Sequence, residues 1–188
     1  MVLRPYNFCM VGNSRQFESA IILVIPEAEG LVSNYRINHD PSAALGIPAH
    51  VTTLYPFLSP DKIDEKVLNA LADIFSKQEP FEVVFETTGQ FPSVLYLEPK
   101  ISEPLVQLTK LVEEAFPDYP PYGGVFPIIT PHLTIAQIDD ELLLKKIDKE
   151  IRKIGQAQFP IVSQINNVAI YAEGNPSWTL LANLPLGK

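Results

Sequence analysis

The sequence is poor in the residues that mark secreted and membrane proteins. Its one cysteine, Cys9, cannot form a disulfide within the chain, as is usual for proteins of a reducing compartment. No apolar run approaches the roughly 20 residues that a transmembrane helix requires. The first residues also lack the basic segment, apolar segment and cleavage site of a secretory signal. We therefore expect a cytoplasmic protein that neither spans nor binds a membrane.

Positive charge is also scarce. Lysine and arginine total 14 against 22 aspartate and glutamate residues, which gives a formal net charge of −8, and no basic cluster is present. Proteins that grip long duplexes need a basic surface that displaces condensed counterions. The charge therefore argues against binding of long duplex nucleic acid and favours small ligands or chain ends.

The composition is that of a folded domain. Hydrophobic residues make up 46% and charged residues 19% of the 188 positions, which is enough apolar material for a sizeable core. We expect residues 1–188 to form a single domain of two intertwined lobes. A monomer is the simplest expectation.

Hydrophobic periodicity predicts alternating strands and helices. Helices are expected near 28–37, from Ser59 and Pro60 to about 77, from Ser102 to just before Pro117, and near 140–154. Strands are expected near 19–25, 49–55, 81–87, 94–98, 132–138, 165–172 and 177–184, with a proline-rich loop at 117–131. The hairpin-like pairs and the late cluster of strands favour an α+β fold with antiparallel pairing.

One local pattern occurs twice. Residues 48–55 read PAHVTTLY and residues 130–137 read TPHLTIAQ. Side chains alternate along a strand, so each copy places a histidine and a threonine on one face, His50 with Thr52 and His132 with Thr134. The repeat suggests an ancient duplication.

Two imidazoles and two hydroxyls are the groups that phosphodiester hydrolysis requires. One histidine can act as the base that activates water and the other as the acid that protonates the departing oxygen. The threonine hydroxyls can donate to the nonbridging phosphoryl oxygens. A single histidine on a strand is more often structural. Two of the three histidines share this pattern, however, and we interpret His39 as an exposed loop residue.

A metal site is not expected. Catalytic zinc normally has three protein ligands, and neither motif has a further histidine, cysteine or carboxylate at ligand spacing. Gly-rich phosphate loops, nucleophile elbows and Cys-x-x-Cys pairs are also missing from the sequence.

The two motifs resemble those of the two-histidine phosphoesterase superfamily, whose signature is a pair of His-x-Thr/Ser-x motifs. GIPAHVTTLYPF and the PPYGG loop before PHLTIA resemble its bacterial 2′,5′ RNA ligase-like branch in particular. The resemblance covers about residues 19–184. It implies two antiparallel-type sheets with outer helices, related by a pseudo-twofold axis around a central cleft, and no metal or organic cofactor.

The resemblance also implies an activity and partners. Relatives split nucleoside 2′,3′-cyclic phosphates or make and break 2′,5′ linkages, so the expected partner is a small nucleotide or an RNA end. His132 is most often the base and His50 the acid in such proteins, but reversal of the reaction exchanges these roles. The alternative is a catalytically weak nucleotide-binding or protein-interaction module on the same fold.

Four further residues are candidates for substrate binding. In the family, the fifth residue after each motif histidine often lines the cleft, and here these are Tyr55 and Gln137. Strict alternation would point both away from the histidines, so a β-bulge is needed to bring them in. Tyr122 and Phe91 are candidates to stack on a base, although packing within the protein is the alternative for these aromatic residues.

Overall fold

Two four-stranded antiparallel sheets form the centre of the protein. The computed structural model describes residues 17–187. Its strands are β1 (Ser19–Val24), β2 (His50–Leu54), β3 (Phe81–Phe91), β4 (Val94–Pro99), β5 (Leu133–Gln137), β6 (Ile161–Ile165), β7 (Asn167–Ala172) and β8 (Thr179–Pro185). The first sheet has the order β2-β1-β7-β8 and the second the order β5-β4-β3-β6.

Helices cover the sheets and connect their strands. They are α1 (Glu29–His39), the short α2 (Pro41–Ala44), α3 (Glu65–Phe75), α4 (Glu103–Ala115) and α5 (Glu141–Gly155). The helices α3 and α4 pack on the first sheet, while α1 and α5 pack on the second. The helix α4 thus follows a strand of the second sheet but covers the first, so the chain crosses between the sheets. None of the helices in the described part of the chain is long and apolar enough to cross a membrane.

The two sheets correspond strand by strand. The motif strands β2 and β5 are both edge strands, and each pairs with an inner strand, β1 or β4. The two motif strands also contact each other. The predicted α+β fold with two antiparallel sheets and outer helices is therefore confirmed. This topology brings two motifs that are 82 positions apart in sequence to one place in the fold.

One apolar core joins both sheets to the helices. Leu23 and Ile170 of the first sheet and Leu97 and Ile135 of the second belong to the same buried cluster. A smaller cluster, which includes Trp178, lies on the opposite face of the first sheet. Each sheet therefore has one face in the shared core.

The structure differs from the sequence-based expectation at several boundaries. The helix expected from Ser59 begins instead at Glu65, after a single 3-10 turn at Pro60–Lys62. Its cap is Asp64, whose carboxylate accepts a hydrogen bond from the Val67 amide. The strand β6 was not predicted. His39 is also not a loop residue, since it ends α1 and is half-buried.

Replacement of Asp64 tests the corrected start of α3. We expect Asp64→Ala to lower the free energy of unfolding by about 1 kcal/mol, because the Val67 amide loses its acceptor. Ser102 occupies the same position before α4 but makes no side-chain capping bond. Ser102→Ala is thus the matched control and should change stability far less. Equal losses in urea unfolding would contradict the assigned cap.

Candidate active site

The two motif histidines are held in the same way. His50 Nδ1 lies 2.7 Å from the carbonyl oxygen of Pro48, and His132 Nδ1 lies 2.8 Å from that of Thr130. Each carbonyl belongs to the residue two positions before its histidine. Since a carbonyl oxygen only accepts hydrogen bonds, Nδ1 carries the proton in both rings. In the neutral ring, Nε2 is then the atom that can accept a proton.

Strand pairing defines the face of the first sheet that carries the first motif. His50 pairs with Val24 and Thr52 pairs with Ile22 on the neighbouring strand β1. Directly opposed residues of an antiparallel pair lie on the same face of the sheet. This is the face of the smaller apolar cluster, which contains Ile22 and Trp178. His50 and Thr52 therefore lie together on the face opposite the shared core.

The second motif has the equivalent arrangement. Thr134 pairs with Tyr96 of β4, and the Tyr96 and His132 rings are 5.3 Å apart between centroids. The side chains of His132 and Thr134 are both partly exposed, whereas Leu133 between them is buried in the shared core. Alternation along the strand thus places the second histidine and threonine on one accessible face.

A β-bulge lies just after each motif threonine. Ile21 and Ile22 are consecutive in β1, but their partners in β2, Leu54 and Thr52, are two positions apart. One residue of β2 is therefore extra, and the alternation changes phase after it. Tyr55 accordingly packs on the cluster that contains Ile22, on the face of Thr52.

The second strand has a bulge at the equivalent position. Leu95 and Tyr96 are consecutive in β4, but they pair with Ala136 and Thr134, again two positions apart. Gln137 then lies on the same face as Thr134 instead of the opposite one. The bulges that Tyr55 and Gln137 needed in order to share the motif face are thus present in both halves.

Tyr122 lies against the first motif. Burial raises the pKa of Tyr122, and the nearby Thr52 hydroxyl opposes this shift. The Tyr122 amide also donates to the Tyr55 carbonyl oxygen at 2.6 Å. Tyr122 has a φ of +53°, which is uncommon for a residue other than glycine. The proline- and glycine-rich loop is therefore folded so as to bring this side chain to Thr52.

Two aromatic rings surround His132. Phe91 meets the imidazole edge-on at a centroid distance of 5.2 Å and lies 4.5 Å from the Tyr96 ring. Gly89 of β3 pairs with Tyr96 and makes room for its ring, because a Cβ atom at Gly89 would lie 2.4 Å from that ring. Phe91 thus contacts a motif histidine, as does Tyr96, which sequence reasoning missed.

A buried arginine joins the two motifs. Arg36 of α1 is only 1% exposed. Its Nη2 donates to the carbonyl oxygens of Ile47 at 3.0 Å and Pro48 at 3.1 Å, just before β2. Its Nη1 donates to the Thr134 carbonyl oxygen at 3.0 Å and lies 3.1 Å from the Asp40 carboxylate. One guanidinium group therefore contacts the backbone of both motif segments.

Asp40 completes this buried ion pair. Its carboxylate accepts hydrogen bonds from the Ser42 amide at 2.9 Å and from the Ser42 hydroxyl at 2.8 Å, as well as from Arg36. The pKa of Asp40 is raised, because burial outweighs the opposing effects of Arg36, Ser42 and His132. Because the contacts of Asp40 are donors, its carboxylate fits the ionised state.

The two histidines differ in their electrostatic surroundings. Burial lowers the pKa of His50 to about 3, the charges of Arg36 and His132 act in the same direction, and the Pro48 carbonyl opposes them. Burial also lowers the pKa of His132, but the Thr130 carbonyl and the Asp40 carboxylate oppose this shift. Arg36 thus favours a neutral His50, whereas Asp40 favours a protonated His132.

Comparison with known proteins identifies the family. The model of the 2′-5′ RNA ligase superfamily matches residues 25–176, which include both motifs. The chain belongs to this superfamily. A Bacillus cereus (strain G9842) protein named "Putative phosphoesterase" is 33% identical over 123 residues, and that match covers 61% of this chain and 63% of the relative. A similarly named protein of Bacillus mycoides (strain KBAB4) is 28% identical over 170 residues, covering 88% of this chain and 92% of the relative.

Solved structures of LigT from Escherichia coli have the same fold. The complex with 3′-AMP gives a TM-score of 0.62 at 17% identity and covers 92% of this chain and 99% of LigT. The complex with NADP+ gives 0.59 at 20% identity, covering 93% and 100%. A Thermus thermophilus protein gives 0.61 at 16% identity, covering 91% and 99%. At these identities the likeness to the solved structures shows the fold alone.

Sequence reasoning missed three residues of the site. Arg36 follows Val32 by four positions, so a charge on the buried face of α1 was a readable signal. Asp40 precedes Pro41, the usual sequence of a helix cap and first helical residue. Tyr96 alternates with the buried Leu95 and Leu97, which placed it on the motif face.

No three histidine, cysteine, aspartate or glutamate side chains within residues 17–187 lie together as metal ligands would.

Substitution of Gly89 tests the packing beside His132. We expect Gly89→Ala to lower the free energy of unfolding by about 1–3 kcal/mol, because the new Cβ overlaps the Tyr96 ring, which Phe91 and His132 hold in place. Gly30 is an exposed helical glycine where an added Cβ would meet no atom within 4 Å. Gly30→Ala is the control and should stabilise by roughly 0.5–1 kcal/mol. A neutral Gly89 variant in urea unfolding would count against this packing.

The pKa of His50 predicts a pH dependence of stability. An unfolded histidine titrates near pH 6.5, so between pH 6.5 and about 3 the unfolded state binds a proton that folded His50 rejects. The contribution of this ring to stability is therefore complete above pH 6.5, and it is lost as the pH falls from 6.5 towards about 3. The wild type should lose more unfolding free energy from pH 7 to pH 5 than His50→Asn does. His39→Asn controls for the loss of a histidine, and parallel losses in wild type and His50→Asn would refute the shift.

Proposed function

We propose that this chain is a phosphoesterase that hydrolyses nucleoside or RNA 2′,3′-cyclic phosphates, or 2′,5′ phosphodiester linkages, by two-histidine acid/base catalysis without a metal. The observation that carries the proposal is the matched pair of histidines, each tied through Nδ1 to its own backbone and each beside a threonine hydroxyl. The superfamily match and the phosphoesterase names of the relatives support the reaction class. The chain spans only 63% of the first of these relatives, so its activity is inferred from its own residues as well.

The four groups account for each step of the reaction. One neutral imidazole takes a proton from water as its oxygen attacks phosphorus, and the other imidazole, protonated, gives its proton to the leaving ribose oxygen. The P–O bond to that oxygen breaks, and a ring-opened phosphate monoester forms. The hydroxyls of Thr52 and Thr134 donate to the nonbridging oxygens, where negative charge increases in the transition state.

The surroundings of the motifs favour a nucleotide as the substrate. Phe91 lies beside His132 and Tyr122 beside Thr52, and both are partly exposed, so aromatic surface is available near both motifs. Aromatic side chains of this kind stack on bases without strong sequence preference. LigT has been crystallised with 3′-AMP, a nucleoside monophosphate of the kind such a reaction releases. The net charge of −8 favours small substrates over long polymers.

The decisive experiment uses the four nucleoside 2′,3′-cyclic monophosphates as substrates, in the presence of a chelator, with 2′ and 3′ products separated by chromatography. We expect turnover that falls about 10²- to 10⁴-fold in His50→Ala and in His132→Ala. Thr52→Val and Thr134→Val should each cost about 10²-fold, because a donor to the phosphate is lost. His39→Ala is the control and should keep wild-type turnover.

Two results would reject the proposal. Motif variants that retain wild-type rates would show that other residues perform the chemistry. Tight nucleotide binding by the wild type without turnover of cyclic phosphates or 2′,5′-linked dinucleotides would identify the chain as a nucleotide-binding module instead.

A further inference from the structure

We propose that an open pocket on the first sheet, next to the strand of His50, binds the nucleoside of the substrate and selects bases that carry an amino group. This inference rests on the proposed function and deepens it, because it names the part of the substrate that the chain distinguishes. The pocket has a volume of about 360 Å³, which is within the usual range of small-molecule sites. Its lining includes Val24, Glu27, Asn167, Ala169, Tyr171 and Asn183.

The pocket lies on the face of the sheet that carries the first motif. Val24 of β1 lines the pocket and is the residue directly opposite His50 in the neighbouring strand. Val24, Ala169 and Tyr171 are all part of the smaller apolar cluster or pack against it, on the face opposite the shared core. The pocket therefore begins one strand away from the motif histidine, on the same face.

Strand pairing gives the extent of the pocket. In the strand order β2-β1-β7-β8, Ile22 of β1 pairs with Ala169 of β7, and Ala169 pairs with Asn183 of β8. Neighbouring strands are about 4.8 Å apart, so β7 lies roughly 10 Å and β8 roughly 14 Å from β2. A nucleoside attached to a phosphate at His50 can therefore reach across β1 to the lining residues of β7 and β8.

The lining offers both a surface for stacking and groups for hydrogen bonding. The Tyr171 ring is partly exposed, and aromatic rings of this kind stack on bases. The side-chain amides of Asn167 and Asn183 are exposed, and neither hydrogen-bonds to another residue within 17–187. Each amide has donors and an acceptor, as the polar edge of a base does. These groups match an uncharged heterocycle.

Charge decides which bases fit the pocket. Among the described residues that line it, Glu27 alone carries a charge. A carboxylate repels a further phosphate, so the pocket favours the neutral end of the substrate. A carboxylate also accepts hydrogen bonds and cannot donate them, so it pairs with an amino group such as N4 of cytosine. Uracil has a carbonyl oxygen at that position, and two acceptors would then face each other.

The second half of the protein has aromatic rings where the first has this pocket. Tyr96 in the second sheet has the position that Ile22 has in the first, opposite the motif threonine. Its ring lies 4.5 Å from that of Phe91, and both rings are beside His132. The smaller side chain of Ala169 lines the open space over the first sheet instead. The nucleoside is therefore assigned to the first sheet.

NMR of the asparagine side-chain amides tests the site without any turnover. The added nucleotide is cytidine 3′-monophosphate. We expect the side-chain signals of Asn167 and Asn183, assigned with Asn167→Ala and Asn183→Ala, to shift on saturation. The signal of Asn69, an exposed residue of α3, is the internal control and should stay in place. Unshifted pocket asparagines together with a shifted His50 ring would place the base elsewhere and overturn the inference.

Matched pyrimidine substrates test the selectivity. We expect kcat/KM for cytidine 2′,3′-cyclic phosphate to exceed that for the uridine compound by about tenfold, because only cytosine donates to Glu27. Glu27→Gln should remove most of this preference, since an amide of the same size can donate to uracil. Glu79→Gln, at an exposed position that does not line the pocket, should keep the preference. Equal rates for the two pyrimidines in the wild type would contradict the role of Glu27, as would a preference unchanged in Glu27→Gln.

Asn183→Leu separates binding from chemistry. The variant loses the hydrogen bonds of the amide but keeps the motif groups, so KM should rise about 3- to 10-fold with a smaller change in kcat. Asn69→Leu is the same substitution at an exposed position outside the pocket and should leave both constants at their wild-type values. Equal effects of the two substitutions would reject a contact between Asn183 and the substrate.

These readouts distinguish failure of the pocket from failure of the proposed function. Shifts at Asn167 and Asn183 in a wild-type protein that turns over none of the substrates would reject the proposed function, while the nucleoside site would stand. Turnover by the wild type without a shift at either asparagine would support the proposed function and reject the pocket. Absence of turnover and of any shift, at the histidines or the asparagines, would reject both.

Discussion

The buried charge of Arg36 is the constraint on which the geometry of the site depends. A guanidinium group removed from water costs several kcal/mol unless its donors are satisfied and its charge is compensated. Here a carboxylate compensates the charge, and carbonyl oxygens from the segments before β2 and within β5 accept the N–H groups. These acceptors come from parts of the chain far apart in sequence. They must meet around one planar group, so the relative position of the two motif strands is fixed.

Within each half, the orientation of the histidine is decided locally. In both motifs Nδ1 donates to the carbonyl two residues earlier, and in both strands one extra residue follows the threonine. The agreement of two such details supports an origin of the halves from one ancestral unit. The pair of Arg36 and Asp40 breaks the symmetry, because it has one charge towards each motif. Two rings that are alike in local structure thereby become electrostatically different.

The sequence was sufficient for the motifs and for the fold class but not for the long-range contacts of the site. The histidine and threonine of each motif are two positions apart on one strand, so alternation alone placed them on one face. The bulges depend on which residues of the neighbouring strand pair with the motif strand, and that register is a property of the whole sheet. The role of Arg36 likewise follows from the position of α1 against β5, which no local pattern specifies. The start of α3 was predicted wrongly for a different reason. The pair Ser59 and Pro60 has the pattern of a helix start, but the backbone forms only a 3-10 turn at Pro60–Lys62 and the helix begins after Asp64.

The electrostatics of the site suit an anionic ligand in an acidic protein. The protein carries a formal charge of −8, which does not attract anions over long distances. Attraction at the site must therefore come from short-range donors, and the threonine hydroxyls are of this kind, joined by an imidazole Nε2–H where that ring is protonated. In the free protein, burial lowers the pKa of both histidines. An anion bound between the rings would compensate a positive charge and so favour protonation of an imidazole. Under the proposed function, the proton needed by the leaving group would be gained as the phosphate binds, so the free site need not hold an uncompensated positive charge.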